Sequence, residues 1–245
     1  MEWTDSAIVL HVGHFRESDI WLRLLFRRRG ICNVFAFGGS RSRRGFCGCL
    51  DVCNTVRCRV KQSRGYLTLE EGVLQRGPQR LRTEWSRLGM AMNCARFLET
   101  IGVAQESAPA AHALYGHVLE CLEADAAPPL LPLFFRWRLA AEQGFAPTMD
   151  ACAVCGTTQG LSSFLMDEGH ALCAACSRDV GARRYVARLS PAGFEALRAV
   201  QTELPAQWGQ PALDMGDKRG VAQAIDGFVQ YHLGIAWEDG RFRRV

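Results

Sequence analysis

The sequence predicts an α+β fold: a small N-terminal β-barrel, then a mostly helical domain that carries a four-cysteine module. Three observations predict it. Short segments of period-two alternation fill residues 6–74. Helical spacing takes over after Gly77-Pro78. Two Cys-x-x-Cys pairs then follow with 17 residues between them. A chain of 245 residues can bury a large core without disulfides.

Ser6 to Val12 is a β-branched, apolar run and gives the first strand. Ile20, Leu22, Leu24 and Phe26 alternate with Trp21, Arg23, Leu25 and Arg27, so a second strand buries one face and carries arginine on the other. Arg28-Arg29-Gly30 turns the chain into a third strand, Ile31 to Phe37, ended by Gly38-Gly39. Between Val52 and Lys61, Val52, Val56, Cys58 and Val60 take one face and Arg57, Arg59 and Lys61 the other. Ser63-Arg64-Gly65 then turns into a fifth strand, Tyr66 to Leu74. Five short strands fit a closed barrel, and the OB-fold is the commonest such barrel with basic faces.

Beyond residue 78, Trp85, Leu88, Met92, Ala95 and Leu98 fall at helical spacing, as do Ala111, Leu114, Val118 and Cys121. Pro128-Pro129 is expected to open a third helix through Phe134, Trp137 and Ala141, stopped by Gly144. Ser190-Pro191 reads as an N-cap with proline at N1, followed by Phe194, Leu197, Gln201 and Leu204. A last helix is expected from about Asp217 to Leu233. These changes divide the chain into a barrel at 1–78, a first helical part at 79–150, a cysteine module at 151–185 and a C-terminal helical part at 186–245.

The N-terminus has no basic region followed by an apolar one, and no segment reaches the ~20 apolar residues that span a bilayer. The expectation is a cytoplasmic protein with no membrane partner. In that reducing setting, paired cysteines point to metal or catalysis before disulfides. Cys152, Cys155, Cys173 and Cys176 form C-x2-C-x17-C-x2-C, the spacing of a four-thiolate zinc site. Two intervening residues let a tight turn aim both sulfurs at one ion, and Gly156 can supply the positive φ such a turn needs. Leu161–Met166 and His170–Leu172 can pair as a hairpin turning at Asp167-Glu168-Gly169, which brings the two pairs together. Four thiolates close a tetrahedral shell, so one structural Zn2+ per chain is expected, with no open position for a catalytic water. A redox pair would not require the second Cys-x-x-Cys. His170 is a lesser candidate to replace one sulfur. Cys47, Cys49 and Cys53 read either as a second metal group or as small buried hydrophobes.

The net charge of +4 is uneven, +8 over residues 1–83 and −4 over the rest. Arg23, Arg27, Arg28, Arg29, Arg41, Arg43, Arg44, Arg57, Arg59, Lys61 and Arg64 would form one basic surface on a closed barrel, attractive to phosphates of any sequence. A GC-rich genome is enough to explain the preference for arginine over lysine, but not the clustering. The surface reads as a DNA face or as a solvated face. Trp21, Phe35, Phe37, Phe46 and Tyr66 read as stacking partners for unpaired bases or as core. The chain has no P-loop, H-E-x-x-H or G-x-S-x-G motif, and its acidic residues do not cluster as a nuclease metal site would need. It reads as a DNA-handling protein and not an enzyme, with a zinc-ribbon regulator or adaptor of protein partners as the alternative.

Ala7-Ile8-Val9-Leu10, Glu17-Ser18-Asp19-Ile20, Arg29-Gly30 and the Gly38-to-Arg44 loop, in that order, resemble the RecO family of recombination mediators. So do Phe134–Gln143, Gly144-Phe145-Ala146-Pro147 and the residues Cys152, Cys155-Gly156, Phe164, Gly169, Cys173 and Cys176. The resemblance runs over nearly the full length. It implies an N-terminal OB-fold, a helical domain and a zinc module. It implies binding of single- and double-stranded DNA, annealing of complementary strands without ATP, and a nucleoid-associated role in repair and recombination. It also implies partnership with RecR and with the acidic C-terminal tail of single-stranded-DNA-binding protein, and an indirect action on RecA loading. A groove between helices, with Arg96, Arg136 or Arg138 as counter-charges, is the expected dock for that tail. The chain departs from the family pattern at His170, where a glycine is expected, and in its cysteine-rich barrel, which leaves redox sensitivity open.

Overall fold

The computed structural model describes residues 1–39, 46, 48–63, 65–179, 185–209 and 212–245. They fall into two compact units, Met1–Ala124 and Asp125–Val245.

The first unit opens with five strands: β1 Glu2–His14, β2 Ile20–Phe26, β3 Gly30–Ala36, β4 Thr55–Ser63 and β5 Tyr66–Arg76. As the five short strands led us to expect, they close into a barrel; its order is β1-β2-β3-β5-β4. The inward positions supply its core: Ile20, Leu22, Leu24 and Phe26 from β2 and Val56, Cys58 and Val60 from β4, with Ala7 and Val9 from β1. One difference from the sequence reading has a local cause. Val52 sits in a turn ahead of β4, where Cys53 takes a positive φ of 66°. Phe46 is buried in the barrel core, which decides its reading in favour of packing.

Ile8, Leu10 and Leu25 are also fully buried although they are not part of the barrel core. They lie on the outer face, where two helices cover the sheet, α2 Trp85–Ile101 and α3 Ala108–Glu123, with the short α1 Arg80–Thr83 packed against both helices. Gly30, at the β2–β3 turn, explains how close this packing is. Its φ is +72°, and an added Cβ would stand 1.9 Å from the Val103 carbonyl oxygen. The adjacent Ile31 amide donates to that same carbonyl at 3.1 Å.

The second unit contains α4 Leu131–Glu142, β6 Thr148–Cys152, β7 Leu161–Leu165, β8 His170–Cys173, α5 Ala174–Asp179, β9 Val186–Arg188, α6 Pro191–Thr202, α7 Met215–Leu233, and a hairpin of β10 Ile235–Glu238 and β11 Arg241–Arg244. The sheet order is β6-β8-β7-β9. Trp137 of α4 is at the centre: it meets Phe164 of β7 at 5.5 Å and Phe228 of α7 at 5.2 Å, and its indole N–H donates to the Leu197 carbonyl at 3.1 Å. Helix α4 begins at Leu131, after Pro128-Pro129, with Pro132 as its early proline. Ser190 caps α6 as expected, accepting from the Gly193 amide at 3.0 Å, and donates to Asp217 of α7 at 2.5 Å. Among the described residues, no helix is long and apolar enough to cross a membrane.

Candidate nucleic-acid interface and metal centre

Cys152 ends β6. The chain then turns through Gly156, at φ +73°, whose amide donates to the Cys152 carbonyl at 2.9 Å. The β7–β8 hairpin forms as expected and delivers Cys173 at the end of β8. Cys176 follows on the first turn of α5, where its amide donates to Cys173 Sγ at 3.5 Å. Strand β6 runs parallel to β8, with Cys152 opposite Ala171, so the two Cys-x-x-Cys turns face each other.

The four sulfurs lie within 4.8 Å of one another, and those of Cys155 and Cys173 are 3.8 Å apart. A tetrahedron of sulfurs about 2.3 Å from a central ion has edges of about 3.8 Å, so the group fits one cation. As thiols alone the four compete for charge. Hydrogen bonds that the Cys176 thiol donates to Cys173 and Cys155 push it up to about 12. Burial works against the Cys152 thiolate, but the backbone at Cys173, Cys155 and Val154 draws that thiol down to about 6. A cation removes the competition by favouring all four thiolates at once.

His170 does not belong to this group, and among the described residues no second metal-ligand group occurs. Cys49 is buried and donates to the carbonyls of Phe46 and Gly72. Buried Cys53 meets the Tyr115 hydroxyl at 3.6 Å. Cys47 lies outside the described residues.

The basic residues fall into distinct settings. Arg23 leans on α2, with Nε 4.0 Å from the Glu99 carboxylate and one amino group donating to the Glu99 carbonyl. Arg59 bridges Glu2 and Glu71 at 2.6 Å each. These bonds raise its pKa and hold Glu71 below the usual carboxylate range. Arg29 covers the Trp3 ring at 4.3 Å. Arg27, Arg28, Arg57 and Lys61 are exposed, and no ion pair engages them among the described residues. Arg41, Arg43, Arg44 and Arg64 lie outside the described residues.

The aromatic residues gather at one edge of the barrel. Phe15, in the β1–β2 loop, meets Phe35 of β3 at 5.5 Å and Phe37 at 6.2 Å, and Phe35 meets Tyr66 at 6.1 Å, all edge to face. Phe15, Phe37 and Tyr66 stay about two-fifths to one-half exposed, at 41%, 49% and 40%. Asp19 fixes this edge: its carboxylate accepts from the Gly38 amide at 2.7 Å, tying the β1–β2 loop to the end of β3. Trp21 lies across the neighbouring β1 residue Gly13, where a Cβ would stand 2.2 Å from the indole nitrogen, and stacks on His11 at 4.8 Å. This is the β2–β3 face, bordered by the β1–β2 and β4–β5 loops, by which OB-folds hold oligonucleotides. Sequence reasoning missed Phe15. Its only signal was an isolated aromatic in a polar loop.

Two of the arginines suggested as counter-charges for a partner tail are committed elsewhere. Arg136 is 6% exposed; it pairs with Asp226 at 2.6 Å and lies over Phe242 and Trp237 of the C-terminal hairpin. Arg138 pairs with Glu142 at 2.8 Å and donates to the Val200 carbonyl. Arg96 is exposed on α2.

Comparison with known proteins covers both units. The family described as Recombination protein O N terminal matches residues 1–77, and Recombination protein O C terminal matches residues 82–239. The chain is 46% identical, over the whole of both chains, to the DNA repair protein RecO of Nitratidesulfovibrio vulgaris strain DP4. It is 43% identical, again over the whole of both, to that of Oleidesulfovibrio alaskensis. It is 30% identical to that of Myxococcus xanthus, over 95% of this chain and 93% of the relative.

Proposed function

The chain belongs to the RecO family of DNA repair proteins, and from that premise we propose that it is a non-enzymatic mediator that binds single- and double-stranded DNA and anneals complementary strands without ATP. The observation that carries the proposal is the row of Phe15, Phe35, Phe37 and Tyr66, in which half-buried Phe35 joins three exposed rings on the ligand face of the closed barrel. Aromatic faces accept any unpaired base, and each stacked base contributes about 1–3 kcal/mol. The basic residues of the barrel supply the phosphate contacts. In this reading the barrel of residues 1–78 is the DNA-binding domain. The 151–185 module, held by one structural zinc on Cys152, Cys155, Cys173 and Cys176, braces the helices of its own unit, α6 and α7. With RecR and the acidic tail of single-stranded-DNA-binding protein as partners, the protein would help load RecA onto coated DNA.

The experiment is a salt-titrated binding and annealing assay. With ~6 phosphates contacted, affinity falls about 10³-fold between 50 and 200 mM salt, and complementary oligonucleotides pair without nucleotide cofactor. Affinity that stays flat over this range removes the phosphate-contact mechanism. Sequence preference without annealing gives the protein to the regulator class instead.

A further inference from the structure

Arg27, Arg28 and Arg57 converge on a separate feature. With Thr4, Ser6, Asp5 and Gln75 they line a cleft of about 190 Å³ on the outer surface of the barrel. The register explains the convergence. Ser6 of β1 stands opposite Arg57 of β4, and the amide of Arg27, just past β2, donates to the Ser6 carbonyl at 2.9 Å. The cleft's one carboxylate, Asp5, is 8% exposed and already holds the amides of Ser6 and Arg28, each at 2.9 Å. It stiffens the turn that presents Arg27 and Arg28. Ser6 Oγ donates to the Gln75 side chain at 2.7 Å, which leaves the amide nitrogen of Gln75 as a further donor. The cleft thus offers three guanidinium groups and an amide, the donor set that suits a phosphodiester.

Its position is what distinguishes it. Trp21 and Phe35 pair near one end of the β2–β3 ladder, and Phe26 and Gly30 pair at the other. The extended chain from Trp21 to Arg27 spans about 20 Å, so the cleft lies at the end of the barrel away from the aromatic row.

We infer that Arg27, Arg28 and Arg57 form a second phosphodiester site, which holds the backbone of one strand while the aromatic row stacks the bases of another. This rests on the nucleic-acid reading above and deepens it, because annealing needs two strands held at once. Among the described residues its lining holds no aromatic ring, so it is indifferent to whether its strand is already paired.

The test uses the full chain and the variants Arg27→Ala/Arg57→Ala and Phe35→Ala/Tyr66→Ala. Three quantities are measured: affinity for an oligo-dT strand, the annealing rate of complementary oligonucleotides, and the thermal shift given by inorganic pyrophosphate. Both arginines are exposed, so the melting temperature without ligand should match the parent. The arginine variant is expected to lose annealing about tenfold more than it loses oligo-dT affinity, to lower the salt slope of annealing by about 2, and to lose the pyrophosphate shift. The aromatic variant is expected to lose oligo-dT affinity while keeping that shift. Equal losses of binding and annealing in the arginine variant would mean one continuous track and overturn the inference. So would unchanged annealing. If the parent chain binds pyrophosphate through these arginines but no nucleic acid, the strand assignment falls together with the reading it rests on. A failure confined to annealing in the arginine arm leaves that reading intact.

Discussion

His112 lies on α3, half-buried, with its Nε2 out of solvent and without a hydrogen-bond partner. It lines a cavity of about 260 Å³ with Cys53, Thr55 and Arg76. Burial holds the imidazole well below its usual range, at about 4. The unfolded chain therefore takes up the proton first as pH falls. The stability that depends on a neutral ring is complete above about 6.5 and is lost as pH drops toward 4. Between pH 7 and pH 5 this costs about 2 kcal/mol, seen as a falling urea midpoint, and His112→Gln should flatten that slope. At the metal centre, Cys152→Ser is expected to lower bound zinc from about one equivalent to well under half, read by elemental analysis of the purified chain. A variant that keeps its full metal content would remove Cys152 from the ligand set.

Helices and strands depend on single residues where elements meet. Gly30→Ala adds a Cβ both at a positive φ and against the Val103 carbonyl, and neither the turn nor the loop after α2 can retreat without opening the barrel's helical cover. A loss of about 3 kcal/mol is expected in chemical denaturation. Gly89→Ala, exposed on α2 with nothing within 4 Å of the added atom, should instead stabilise by about 0.5–1 kcal/mol. Strands β2 and β4 were readable because apolar and basic residues alternate along them, and β1 was readable as an apolar run because Ala7 to Leu10 are buried on both faces. The β7–β8 hairpin was readable because a turn signal sits between two apolar runs. Strands β6 and β9 were not, at 5 and 3 residues, too short to show a period. The C-terminal hairpin was missed because its Trp237 and Phe242 pack around Arg136, a contact between α4 and residues about 100 positions later that no local pattern reveals. The same limit hid the ion pairs of Arg23 and Arg59. Sequence distinguishes arginine from other residues but cannot tell which arginines a distant carboxylate has engaged.

At the scale of the molecule, the two units divide the chemistry. The barrel, its aromatic row and the basic cleft belong to Met1–Ala124, and the four cysteines belong to Asp125–Val245. Stripping the metal should lower the thermal stability of the second unit while oligonucleotide affinity is largely kept. The barrel itself is closed unevenly. Strands β4 and β5 share nine residue pairs and β2 and β3 share seven, but the parallel seam between β3 and β5 has only two, Val34 with Leu67 and Phe35 with Thr68. Phe35 and Tyr66 lie on either side of that seam. The barrel therefore has a clasp, and the clasp lies under the aromatic row. Backbone amides beside it should trade hydrogen for deuterium faster than those of the β2–β3 ladder, and a base resting across both rings should slow that trade. A bound strand would then act on the barrel as a fastener.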